Sequence, residues 1–378
     1  MSTTQLDGIL VADFSRVLAG PLCTQTLSDL GADVIKVERI EGGDDTRQWG
    51  PPFVDEGSTY FLGLNRGKRS ITLDLHDEAD NKLALELCRR ADVIVESFRP
   101  GTMARLGLGW EQISAINPRA IYSSISAFGS GEEGSALPGY ELLVQAMSGY
   151  MSTTGEPDGP AVRPGTAMID MTTGLYSTIG ILAALQERET SGLGQHLEVS
   201  LLDSGLLALL NLGAGFLNTG ELPQRAGNAH PSIVPYQTFA TADGELALAV
   251  GNDALFARCC EALGTPELAD HADYSTNSAR VEHREALVAE MTMIFAAQTA
   301  AEWAKRLTAA GVPAGPVNKI DEAYELAEQL GLEPVVELDG VRSARSPMRF
   351  SRTPVEPTRR PPRLGEHSEQ LRAWLSES

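Results

Sequence analysis

Short apolar runs alternate with amphipathic stretches through the first part of the chain. The runs at 9–14, 34–38, 70–75, 93–96 and 120–126 predict strands, and the periodic stretches at 20–30 and 78–90 predict helices. Pro21 suits the opening turn of the first helix. Strands separated by helical segments of about 10–15 residues predict crossover connections and a parallel sheet, hence an α/β fold. The Gly-, Asp- and Pro-rich stretch at 41–57 is too long for a plain connector and is a candidate functional loop. A long helix is expected from Asp170 to about Glu189, closed by the turn at Gly192 and Gly194. A strand at 196–200 and an apolar helix at 201–217 follow.

Composition shifts near Arg225. The segment 235–250 reads as a hairpin with Asp243-Gly244 at its turn, and helical patterns follow at 253–263, 280–297 and 300–310. This predicts a second, smaller α+β unit. The expected division is 1–224 for the large α/β domain, 225–330 for the small α+β domain, and 331–378 for a C-terminal segment. Between 341 and 363 seven arginines face only Glu356, a basic tail suited to packing on the acidic body of the chain or on a partner subunit.

The 378 residues carry a net charge of −21, which argues against nucleic acid or an anionic membrane surface as the main partner. The N-terminus lacks the basic and apolar regions of a secretory signal, and 201–217 is too short and too polar to span a bilayer. Cys23, Cys88, Cys259 and Cys260 show no metal-type spacing and read as reduced thiols, so a cytoplasmic location is expected.

The candidate chemistry centres on Asp170, the only charged residue between Arg163 and Glu187. Its ordinary role at a helix start would be an N-cap. A nucleophile or base is the competing one. A dinucleotide site is disfavoured. The turn after the first strand, Ala19-Gly20-Pro21, has one glycine where G-x-G-x-x-G is needed, although Glu38 imitates the ribose-binding acid. Lys36, Arg39, Arg66, Lys68, Arg69, Arg99 and Arg105 recur near strand ends, as a ligand with several phosphates would require. His230 stands alone between Gly and Pro residues with no carboxylate at metal spacing, and no metal is expected.

Eight segments stand out: Arg16-Val-Leu-Ala-Gly-Pro-Leu-Cys-Thr-Gln25, Asp29-Leu-Gly-Ala-Asp-Val-Ile-Lys-Val-Glu38, Gly43-Asp-Asp-Thr-Arg-Gln-Trp-Gly-Pro-Pro52, Asn65-Arg-Gly-Lys-Arg-Ser70, Glu96-Ser-Phe-Arg-Pro-Gly101, Pro138-Gly-Tyr-Glu141, the Asp170 helix and Leu364-Gly-Glu-His367. Together they resemble the class III CoA-transferases, the family of formyl-CoA, carnitine and succinate–hydroxymethylglutarate transferases, which also contains the α-methylacyl-CoA racemases. The resemblance implies a parallel-sheet domain built from both chain ends, a small α+β domain, and two chains interlocked as a homodimer. It implies Asp170 as the catalytic residue. It implies coenzyme A, carried as an acyl-CoA co-substrate, on Val17, Ala19, Arg39, Leu73, Leu75, Phe98 and Arg105, with Lys68 and Arg99 at phosphates and Tyr140 in the reacting pocket. Gly227, Asn228 and His230 fall where transferases hold a loop over the site. Ala127 and the run Gly131-Glu-Glu-Gly depart from the family pattern on the acceptor side.

Racemisation needs two opposed bases. The family's racemases carry a histidine where Tyr140 stands, no histidine occurs between His76 and His196, and tyrosine, with an ordinary pKa near ~10, is a poor base. CoA transfer needs one carboxylate nucleophile. The expected reaction therefore carries CoA from an acyl-CoA donor, succinyl-CoA by resemblance, to a small dicarboxylate through an aspartyl-CoA thioester, with Arg47 as the candidate cation for the acceptor's distal carboxylate. A racemase-like enzyme and a CoA-binding protein without turnover are the alternatives.

Overall fold

The computed structural model describes residues 4–377. Contacts divide the chain into a larger unit, 1–151, 163–222 and 333–378, and a smaller one, 152–162 and 223–332. The smaller unit thus takes in 152–162, which the sequence pattern left in the larger one. Local reasons are visible: the Gly227 amide donates to the Gly155 carbonyl at 3.0 Å, and Arg225 donates to the carbonyls of Glu156 and Gly159.

The larger unit is built on six strands, β1 (Leu10–Asp13), β2 (Asp33–Glu38), β3 (Arg69–Thr72), β4 (Val93–Glu96), β5 (Ile121–Ser126) and β6 (His196–Ser200). They lie in the order β3-β2-β1-β4-β5-β6, and every neighbouring pair is parallel. The central strands are near-continuous apolar runs because both sheet faces are covered. Successive residues alternate between two cores. Val11, Val34, Val93 and Val95 face α1 (Ala19–Asp29) and the later helix Met168–Ser191 through Leu27, Ile181 and Leu185. Ala12, Ile35 and Ile94 face α2 (Glu78–Arg90) through Ala84 and Leu87.

The α2 boundaries were legible because Asp77 caps Ala79 and Asp80 while Arg89 and Arg90 close the last turn. The helix α3 (Met168–Ser191) ends at Gly192, whose φ of +74° suits a glycine C-cap. It is the one described helix long and apolar enough to cross a membrane by length and composition, and half of its most apolar stretch is buried within the fold. The chain end returns as α4 (Ser368–Ser376), which buries Leu371 and Leu375 against the α2 face and pairs Arg372 with Asp80 at 2.6 Å.

The apolar stretch 201–217 is two helices, Leu201–Ala208 and Leu210–Thr219, bent by 82°. The break sits at Leu210, held at φ +44°, and the second helix buries none of its residues. In the smaller unit the hairpin Tyr236–Ala240 and Glu245–Ala249 pairs with Ala314–Pro316 in an antiparallel sheet. Phe239, Phe256, Phe295 and Trp303 fill its core. The expected helix 280–297 breaks at His283 into Asn277–Glu282 and Arg284–Phe295.

Candidate active site

Strand order reverses between β1 and β4. The sheet grows toward β2 and β3 on one side and toward β5 and β6 on the other, so a crevice opens at the C-terminal ends of those two strands. Two cavities occupy it. The first, about 250 Å³, is walled by the turn after β1, by the Ser97–Arg99 turn after β4, and by Tyr140, Glu141 and Asp170. The second, about 590 Å³, lies over the ends of β1, β2 and β3. Arg16 and Phe98 line both, with the guanidinium 5.2 Å from the ring centre. The two cavities therefore adjoin across one cation–π pair.

Asp170 reaches the first cavity through a close approach of helix to turn. A Cβ at Gly174 would lie 2.6 Å from the Ala19 carbonyl oxygen, so α3 rides directly on the start of α1. Asp170, one turn earlier on the same face, points where that contact opens. It is not the helix cap: Ala167 holds that position, and Asp170 lies in the first turn with no side-chain hydrogen bond among the described residues. Asp170 is 8% exposed, and its carboxyl pKa is raised to about 7, by burial first and by the Glu141 charge second. A carboxylate that lacks stabilising donors in its ground state is a stronger nucleophile than a solvated one.

Glu141 is a member of the site that the sequence reading passed over, although it closes the Pro138-Gly-Tyr-Glu motif. Its Oε1 accepts from the Ile169 amide at 3.3 Å and from the Gln145 side chain. It thus satisfies a free amide at the start of α3, the role first weighed for Asp170. Tyr60 is the second omission. Burial, then the Asp170 and Glu141 carboxylates, push its phenol up to about 12, and its ring meets Trp49 edge-on at 5.3 Å. The start of α1 has no side-chain cap, and Leu18 and Ala19 line the first cavity, so the amides at this helix start are candidate oxyanion donors.

Val17, Ala19, Phe98, Arg99 and Tyr140 line the first cavity, and Arg39, Leu73, Leu75 and again Phe98 line the second. Arg105 lines neither. Its Nη2 donates to Thr102 Oγ1 at 3.0 Å, and Thr102 borders the second cavity.

Two residues require correction. Lys68 is wholly buried, and its ammonium donates to Asp13 Oδ2, the Pro21 carbonyl and Asn65 Oδ1 at 2.9–3.0 Å. All three donors are occupied, so no phosphate contact is left to it. Arg47 does not pair with Asp44 or Asp45 and does not line either cavity. It grips Glu38 with two bonds of 2.7 Å, donates to the Pro362 carbonyl and stacks 3.6 Å from the centre of the Phe61 ring. Glu38, which imitated a ribose-binding acid, is the internal anchor of the 39–57 loop.

Gly227, Asn228 and His230 belong to the smaller unit. Asn228 donates to Thr238 Oγ1 and borders a cavity of about 420 Å³ there, while His230 lies 5.4 Å from the Tyr236 ring. Among the described residues no cluster of three or more His, Cys, Asp or Glu side chains suits a metal.

The fold and the crevice define a doubly wound α/β enzyme with a buried, high-pKa carboxyl beside an elongated ligand cleft. Residues 6–368 match the family described as CoA-transferase family III, and the chain belongs to it. It is 45% identical to the succinate–glutarate CoA-transferase of Agrobacterium fabrum over 98% of this chain and 95% of that one. It is 41% identical to the acetyl-CoA:oxalate CoA-transferase of Acetobacter aceti over 97% and 94%. A CaiB/BaiF family protein from Brucella suis superposes with a TM-score of 0.90 at 42% identity, covering 99% of this chain and all of that one. The protein is thus an enzyme of the CoA-transferase class, whose members use CoA thioesters as co-substrates.

Proposed function

We infer that this enzyme moves CoA from succinyl-CoA to a small dicarboxylic acid, with Asp170 as the covalent carrier. The observation that carries the reading is Asp170, buried, its carboxyl without a hydrogen-bond partner among the described residues and bordering a cavity that adjoins a second one. The second cavity, with Arg39 at its rim and Leu73 and Leu75 in its wall, suits the nucleotide end of CoA, and Arg16 and Phe98 flank the passage of the pantetheine arm. The relatives named for glutarate and oxalate support a dicarboxylate acceptor.

In the proposed sequence the Asp170 carboxylate attacks the donor thioester carbonyl. The C–S bond breaks, giving a mixed anhydride and CoA thiolate. The thiolate attacks the Asp170 carbonyl and expels the donor acid, leaving an aspartyl-CoA thioester. The acceptor carboxylate attacks that thioester, forming a second anhydride and releasing thiolate. Thiolate attack on the acceptor carbonyl then yields acceptor-CoA and the free Asp170 carboxylate. Each step exchanges one acyl bond for another of similar energy. Amides at the start of α1, where Leu18 and Ala19 line the cavity, are the proposed donors to the developing oxyanions. Water must be kept from the anhydrides for transfer to outrun hydrolysis.

The reading includes a homodimer. Its support is the helix Leu210–Thr219, with Leu210 70% and Leu217 81% exposed, together with Leu175 and Ile179 on the outer face of α3. Large apolar side chains left exposed in this number suit an interface. The reading also includes a cytoplasmic location, in keeping with four free and buried cysteines.

Mass spectrometry after incubation with succinyl-CoA and hydroxylamine tests the carrier. A hydroxamate on Asp170, and loss of exchange in a folded Asp170→Ala variant, are expected. Modification of another residue, or an active Asp170→Ala enzyme, overturns the mechanism.

A further inference from the structure

Val17 carries a β-branched side chain at φ +71°, a region that such residues rarely enter. It lines the first cavity beside Asp170. Residues in this conformation persist only where the surroundings over-determine them, and here the determinants are identifiable. The Val17 amide donates to Asp44 Oδ1 at 3.3 Å, across 27 residues of chain. Asp44 Oδ2 pairs with the Lys36 ammonium at 2.9 Å, and both side chains are wholly shielded from solvent. The same ammonium donates to the Ser15 carbonyl at 2.9 Å. Lys36 therefore grips the turn after β1 at one end directly and at the other through Asp44. Asp44 is fixed in turn by Thr46, whose amide and hydroxyl donate to it, and through its own amide by Glu38 Oε2.

We propose that the buried Lys36–Asp44 pair is a positioning device for the reaction, holding the Ser15–Leu18 turn in the strained shape that forms the cavity wall facing Asp170. The proposal rests on the CoA-transfer reading but assigns a role to residues that touch no reacting atom. It also explains why a buried ion pair stands at this place: an apolar pair would fill the volume as well, but would offer the Val17 amide no acceptor.

The test is a coupling measurement. The paired variant K36M/D44L replaces the ions with apolar groups of similar volume. It leaves each nearby buried acid a cation, Asp13 with Lys68 and Glu38 with Arg47. Its kcat/KM for succinyl-CoA, normalised to folded protein, is expected to fall roughly 10- to 100-fold, as a small misplacement of the site would cause. Glycine reaches φ +71° without strain, so V17G should remove the dependence. In a V17G background the paired substitution is expected to change kcat/KM by less than about threefold. An undiminished kcat/KM in K36M/D44L, or the same fold-loss in both backgrounds, overturns the proposal, because a purely structural pair would not couple to Val17.

Should K36M/D44L be recovered unfolded, D44N carries the test. It keeps the volume and an acceptor but drops the ionic anchor. A fall in kcat/KM that V17G suppresses supports the device, and one that V17G leaves untouched refutes it. If the wild-type enzyme exchanges no CoA, the transferase reading fails by itself, and the coupling is then read in the Kd for CoA by calorimetry.

Discussion

Gly174 has no side chain where the Ala19 carbonyl oxygen passes, and an added Cβ would sit 2.6 Å from that oxygen. Helix propensity alone favours Gly174→Ala by about 1 kcal/mol. The contact reverses the sign, since the obstacle is backbone and cannot rotate away. Overpacking of this kind costs about 1–3 kcal/mol. Gly174→Ala should therefore lower the melting temperature and, by lifting α3 off the turn, reduce kcat with succinyl-CoA at least about tenfold. Circular-dichroism melts and initial rates check both. A more stable, fully active variant would show that the approach of α3 to Ala19 is not what positions Asp170.

Glu141→Gln separates the two causes of the raised Asp170 pKa. The amide oxygen still accepts from Ile169 and Gln145, so the helix start keeps its partner. The negative charge disappears, leaving burial as the remaining cause. The Asp170 pKa then moves down from about 7 without returning to the ordinary carboxylate value. Activity that requires the ionised carboxylate rises with pH through that pKa. The acid limb of the kcat/KM profile should thus shift to lower pH in Glu141→Gln. A limb that stays in place would belong to another group.

Arg47→Lys tests whether Arg47 serves the fold or the acceptor. A lysine cannot reproduce the two-bonded fork on Glu38 or the stacking on Phe61. Glu38 would keep the Asp44 amide and the Ser70 hydroxyl as donors, with Lys36 nearby. The expected outcome is lower thermal stability, by about 1–3 kcal/mol. The ratio of kcat/KM for glutarate to that for a monocarboxylate of equal length should be unchanged. A selective loss with the dicarboxylate would return Arg47 to the acceptor site.

Much of this was readable from residue order, for identifiable reasons. Strand 93–96 and helices 78–90 and 253–263 announce themselves by buried apolar runs and by the caps Asp77 and Asn252. Asp170 stood out because its surroundings are neutral. What was not legible depends on partners distant in sequence. Lys68 looks like a free phosphate ligand until Asp13, 55 residues away, accepts from it. Arg47 looks like a loop cation until Glu38 and the chain end enclose it. The bend at Leu210 carries no Gly or Pro signal, and the attachment of 152–162 to the smaller unit rests on contacts with 225–227. Glu141 was hidden by its neighbour Tyr140, to which the family resemblance drew attention first.

The buried Asp170 carboxyl also makes stability depend on pH in a direction opposite to the usual acid. Its folded pKa, about 7, lies above the ordinary value of 3.8, so folding takes up a proton between those limits. Where the folded state binds more protons, stability falls as pH rises. The contribution is fully present below about pH 4, declines through the interval and is absent above pH 7. A shift of this size corresponds to about 2–4 kcal/mol once relaxation of the site is allowed for. Asp170→Asn keeps the shape and removes the charge. It should melt with the wild-type protein near pH 4 and above it at pH 8, with the gap opening across the interval. Melting curves at matched ionic strength decide the matter: a gap that is constant with pH, or reversed at pH 8, would mean that the carboxylate is stabilised in the folded protein and is not held ready for attack.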